Sequence, residues 1–153
     1  MRRLWTVIFT VAGCMSCSGP TTPLPSRGTP AEASAMLEQA VAHYDQVGRT
    51  QALADFTAKK APFVDRDLYV FCFGADRTTT AHGADPQQVG VAFDGLRDVD
   101  GKAFGTEMWD VGHQPDGGTV EYKWRNPATN QVEPKISFVR RLGEDVCGVG
   151  AYK

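Results

Sequence analysis

Nothing in this chain of 153 residues is long and apolar enough to span a bilayer, and neither sign of charge dominates it. The formal charge of −2 gives no electrostatic reason to invoke nucleic acid. Histidines number only three, His43, His82 and His113, and their scatter makes no metal-ligand pattern. The four cysteines contain no second CxxC to complete a zinc site. There is no Ser-His-Asp ordering, nucleophile elbow or phosphate-binding glycine loop, so neither an enzyme nor a cofactor is expected. No repeat of solenoid period occurs. What remains is ordinary globular composition, 42% hydrophobic and 22% charged, enough for one domain and a short appendage.

The appendage is N-terminal. Arg2 and Arg3 precede the apolar run Leu4–Gly13. Ten helical residues rise roughly 15 Å, against about 30 Å of bilayer hydrocarbon, so an export signal fits better than a span. Val11-Ala12-Gly13-Cys14 resembles a bacterial lipobox, which implies acylation at Cys14; plain secretion with cleavage nearby is the alternative. Residues 15–29 are rich in Ser, Thr, Pro and Gly, the composition of a tether. The expected organisation is a signal peptide over 1–13, a tether over 14–29 and a domain over 30–153. The protein is then exported and held by lipid to a membrane of the bacterial envelope, facing the periplasm or exterior. In that oxidising setting Cys72 and Cys147, each in an apolar run, form either a disulfide or a pair of buried thiols. Cys17 is left over in the tether.

Thr29-Pro30-Ala31-Glu32 reads as a capped helix start, followed by apolar residues at helical spacing from Ala33 to Val47 and a stop at Gly48. Thr50–Lys60 reads as a second helix. Leu68–Phe73 reads as a buried central strand, with Tyr69, Phe71 and Phe73 on the face expected to meet a pocket. Thr78–His82 follows as an edge strand. Phe93–Asp100 reads as loop or a single helical turn, and Asp98-Val-Asp-Gly101 as a turn rather than a calcium loop. Phe104, Met108 and Val111 mark a short helix. Thr119–Arg125, Lys135–Leu142 and Val146–Tyr152 read as three further strands, the last two joined by a turn at Gly143-Glu-Asp145. The order predicts an α+β domain with a five-stranded antiparallel sheet and helices against it.

Several stretches occur together in order: Asp67-Leu-Tyr-Val-Phe71, His82-Gly83, Asp98-Val-Asp-Gly-Lys102, Tyr122-Lys-Trp-Arg-Asn-Pro127, Pro134-Lys135 and Gly148-Val-Gly-Ala-Tyr152. In this order, from Ala33 to Lys153, the chain resembles a single Cache domain, the type found in extracytoplasmic halves of chemoreceptors and sensor kinases. The resemblance implies a PAS-like sheet with a long N-terminal helix, a helical crossover and a small-molecule pocket between sheet and crossover. It further implies small organic acids or amino acids as ligands. Receptor versions continue into a membrane helix and signalling modules, while this chain stops at Lys153. A binding module that informs a separate membrane sensor is therefore expected. Cys72 and Cys147 stand where the family would carry aliphatic residues, and this matched departure favours the bridge.

Lys135 is the leading candidate to hold an anion, as a cation beside aromatic faces. Tyr122 and Trp124, two apart on one strand, share a face and are candidate walls, with Tyr69 beside them. Ser137 shares a face with Lys135 and could donate a hydroxyl, and Arg97 in the crossover could add a second cation. The competing expectation is a ligand-free structural or interaction domain of the envelope that keeps the fold without the pocket.

Overall fold

The computed structural model of the protein describes residues 27–153. The expected signal peptide, Cys14, Cys17 and most of the tether lie outside the described residues. Helix α1 (Pro30–Val47) starts at a complete capping box: Thr29 Oγ accepts from Glu32 N–H, and the Glu32 carboxylate accepts from Thr29 N–H. It ends at Gly48, whose φ of 81° favours glycine. A second helix, α2 (Arg49–Thr57), follows at once. The strands are β1 (Val64–Asp65), β2 (Leu68–Phe73), β3 (Thr79–His82), β4 (Gly118–Arg125), β5 (Val132–Leu142) and β6 (Asp145–Tyr152). They form one antiparallel sheet of order β1-β2-β6-β5-β4, with β3 also paired to β2. Helix α3 (Phe104–Gly112) lies in the crossover from β3 to β4.

Period-2 alternation divides the sheet between two cores. Leu68, Val70, Cys72, Cys147, Val149 and Ala151 face α1 and α2, meeting Ala33, Leu37, Ala40 and Phe56. Tyr69, Phe71, Phe73, Tyr122, Val139 and Val146 face the crossover, meeting Phe93, Phe104 and Met108. Cys72 and Cys147 are direct cross-strand partners and are joined by a disulfide that closes 75 residues of sequence separation. Such a loop constraint is worth about 2–4 kcal/mol.

The α+β class and the sheet-plus-crossover layout are as the sequence predicts, with local differences: α2 is Arg49–Thr57 rather than Thr50–Lys60, β5 starts at Val132 rather than Lys135, and three others follow. There is an additional strand, β1, which two residues make too short for an alternation signal; Arg66, at φ 57°, turns the chain back into β2. The tight turn after β5 does not absorb Asp145. That residue opens β6, fully buried, because its carboxylate binds Tyr44, Arg49 and Thr80. Val47, expected on the apolar face of α1, is 37% exposed.

Candidate ligand-binding site

The crossover does not close fully on the sheet. Between them opens a cleft of about 460 Å³ whose floor and walls include Tyr69, His82, Arg97, Trp124 and Val132. A smaller cavity of about 20 Å³, bordered by Tyr69, His82, Trp124 and also by Tyr122 and Phe104, lies against the same residues. Tyr69, His82 and Trp124 therefore border both spaces. Asp98 holds the crossover at the rim: its carboxylate accepts the backbone N–H groups of Asp100, Lys102 and Lys123, which fastens the turn to β4 and holds its pKa below the usual carboxylate range despite desolvation. Beside it Arg97 makes one long bond, from Nη1 to the Gly101 carbonyl at 3.4 Å.

Lys135 lines neither space. Its side chain leaves β5 and crosses β6 where Gly150 has no Cβ to obstruct it; a Cβ there would meet Lys135 Cε and Ser137 Oγ. The ammonium donates to Tyr69 Oη at 2.9 Å and Tyr152 Oη at 3.4 Å, and lies 4.0 and 4.5 Å from the two ring centroids. The residue is 1% exposed. Among the described residues no carboxylate forms a salt bridge with it. Burial lowers its pKa to about 7, with the charge of Asp67 acting the other way. Burial also raises Tyr69 well above its ordinary value.

The expected contacts thus divide. Tyr69, Trp124 and Arg97 line the cleft, and Tyr122 borders the inner cavity. Ser137 lines neither, because its hydroxyl is bonded at 3.0 Å to Tyr122 Oη within the layer. Lys135 lies behind the lining of the cleft, its ammonium against the phenol rings of Tyr69 and Tyr152. His82 was not picked out by spacing. It reaches the cleft because β3 pairs with the end of β2, placing its ring 4.9 Å from that of Tyr69. Only the His82-Gly83 step in the ordered motifs marked the position. Among the described residues no group of three or more His, Cys, Asp or Glu side chains could hold a metal ion.

The chain matches the family model of single Cache domain 2 over residues 30–152. The chain belongs to that family. A curated relative, the sensor histidine kinase MctS of Rhizobium johnstonii, is 29% identical over 110 residues, which is 71% of this chain and 23% of the relative. The chain spans about a quarter of that relative's length. Among solved structures, a methyl-accepting chemotaxis protein from Vibrio parahaemolyticus superposes with TM-score 0.68 at 22% identity, covering 80% of this chain and 86% of the other. A Cache chemosensory domain described for carboxylic acid recognition gives 0.60 at 21%, with the same coverage. A periplasmic sensor domain of a chemotaxis protein gives 0.60 at 25%, covering 80% and 88%. Cache domains are extracytoplasmic sensory modules that bind small ligands rather than catalytic domains. Among the described residues no helix is long and apolar enough to cross a membrane.

Proposed function

We propose that this Cache domain senses a small organic carboxylate outside the cytoplasm, held to the membrane through Cys14 and informing a membrane sensor of its ligand state. The observation that carries the reading is Lys135. Buried cations are normally paired, yet this one sits among phenols with no salt-bridge partner among the described residues. A ligand carboxylate supplies the missing charge. It enters by the cleft past Arg97, packs between Tyr69 and Trp124, and settles toward the inner cavity beside Tyr122, with Lys135 as counter-ion and Ser137 steadying the Tyr122 hydroxyl. Recognition of carboxylic acids by a domain of the same fold supports this assignment.

The test is calorimetric titration and thermal shift of the full chain with short carboxylates. A ligand at 100 times its Kd stabilises by about 2.7 kcal/mol. Because binding selects the protonated lysine, affinity falls above pH 7 by up to about tenfold per pH unit. Lys135→Met abolishes binding without unfolding the domain. A second reading, a structural domain that has lost its pocket, is favoured by the inner cavity of only about 20 Å³. Absence of any shift across acids from two to six carbons would decide for it.

A further inference from the structure

The sheet manages its edges unequally. Strand β1 is only two residues long, and β3 is bordered by residues 90–92 of its own chain. Thr79 N–H donates to the Val91 carbonyl and the Thr79 carbonyl accepts Gly90 N–H, each at 2.8 Å. Strand β4 differs. It ends the sheet with eight residues, paired with β5 on one side and with no strand on the other among the described residues. A long open edge of this kind is a template for a further strand.

The Asp98–Lys102 turn occupies that edge. Lys123 N–H donates to Asp98 Oδ2 at 3.1 Å, and Lys102 Nζ donates to the Glu121 carbonyl at 2.6 Å. These two backbone groups flank Tyr122. In an antiparallel ladder, a carbonyl and an N–H so placed bond to one neighbouring strand. The carboxylate and the ammonium supply the acceptor and the donor that such a strand would bring. Lys123 Nζ adds an ion pair with Asp100 of the same turn at 2.7 Å. The turn is also closed on itself: Asp98 N–H donates to the Lys102 carbonyl and Gly101 N–H to the Asp98 carbonyl, both at 3.0 Å.

Beneath the turn, β4 is its own complement. In a second copy laid antiparallel about Tyr122, Glu121 falls opposite Lys123 and Val120 opposite Trp124, each pair occurring twice. The Glu121 carbonyl and Lys123 N–H then bond to Lys123 N–H and the Glu121 carbonyl of that copy. Glu121 exchanges its present partner Lys153, at 2.8 Å, for the lysine of the copy. Opposite charges facing each other across strands favour pairing and like charges oppose it. A two-fold contact closes on itself and stops at the dimer.

We propose that the Asp98–Lys102 turn is an intramolecular clasp that withholds β4 from pairing with a second copy of this chain. The clasp is independent of the ligand that the cleft takes.

Sedimentation velocity of the full chain in detergent tests it. Asp98→Ala, Asp100→Ala and Lys102→Ala together open the clasp, and the assembly mass doubles relative to wild type. Adding Glu121→Lys to the open chain sets like charges opposite each other and returns the wild-type mass. Adding Lys123→Glu instead does the same. An equal mixture of those two open chains restores opposite charges and the doubled mass, which a misfolded variant cannot do. Amide exchange follows the same groups: Lys123 N–H is slow in wild type, fast in either charge variant alone and slow again in the mixture. An open chain that keeps the wild-type mass, a doubled mass that survives Glu121→Lys, or a mixture that fails to pair overturns the proposal.

Discussion

Gly150 shows how one missing methyl group can set a site. Its strand position faces the crossover, where Lys135 Cδ and Cε and Ser137 Oγ occupy the space a Cβ would fill. Gly150→Ala pushes the lysine stem off β6, and overpacking of this kind costs about 1–3 kcal/mol. Gly148, two residues earlier on the same face, would set its Cβ 2.8 Å from the Phe138 carbonyl, which is backbone and cannot swing away. Urea denaturation should show Gly148→Ala as the more destabilising change, while titration should show Gly150→Ala as the one that loses carboxylate affinity. The same neighbourhood explains what was legible at this scale. Alternation could place Tyr122 with Trp124, Lys135 with Ser137, and Tyr69 with Phe71 and Phe73, each set on one face of its own strand. Alternation says nothing of depth, so the sealing of Lys135 by Tyr69 and Tyr152 had to come from pairing between distant strands.

At the scale of elements, Asp145 is the joint where the helices meet the sheet. Its carboxylate, fully buried at the start of β6, accepts Tyr44 Oη from α1 at 2.8 Å, Arg49 Nε from α2 at 2.7 Å and Thr80 Oγ from β3 at 2.9 Å. Burial and this carboxylate together raise the pKa of the Tyr44 phenol. Asp145→Ala leaves Tyr44 and Thr80 without partners, and a lost charge-assisted bond costs about 1.5–3 kcal/mol. The expected result is a lower urea midpoint and earlier amide exchange in α2 than in β5. In the sequence Asp145 looks like a turn residue, because Gly143-Glu-Asp carries turn chemistry and its three partners are 65 to 101 positions away. By contrast α1 was readable from Thr29 to Gly48, since its caps and apolar spacing are local.

For the molecule as a whole, Lys135 makes stability depend on pH in a defined direction. In the unfolded chain its ammonium keeps the proton up to its ordinary pKa near 10.5, whereas the folded protein releases it at about 7. Over that interval the unfolded state binds the extra proton, so stability increases as pH rises from 7 and is lost again as pH falls back to 7. One proton corresponds to at most about 1.4 kcal/mol per pH unit. The tyrosines, whose pKa values are raised, act oppositely only above pH 10. Denaturation midpoints between pH 7 and 9 should therefore climb for the wild type. In Lys135→Met that contribution is absent and the midpoint at pH 7 is higher, because no buried ammonium remains to be desolvated. A wild-type profile no steeper than that of the variant would remove Lys135 from this account.

The sequence by itself determined whatever depends on near neighbours: the capped helix α1, the buried strand β2 and its two faces, the ordered motifs of a Cache domain, and the aromatic residues of the EYKWRNP strand. Tertiary structure alone decided the two-residue β1, the bridge between Cys72 and Cys147, the burial of Asp145 and the arrival of His82 at the cleft. The physical reason is the same in each case. Periodicity and capping act over a few residues, but burial and hydrogen-bond completion are settled by strands brought together from opposite ends of the chain. Lys135 belongs to both accounts: its chemistry stands in the sequence, and its depth and depressed pKa come from the sheet that folds around it.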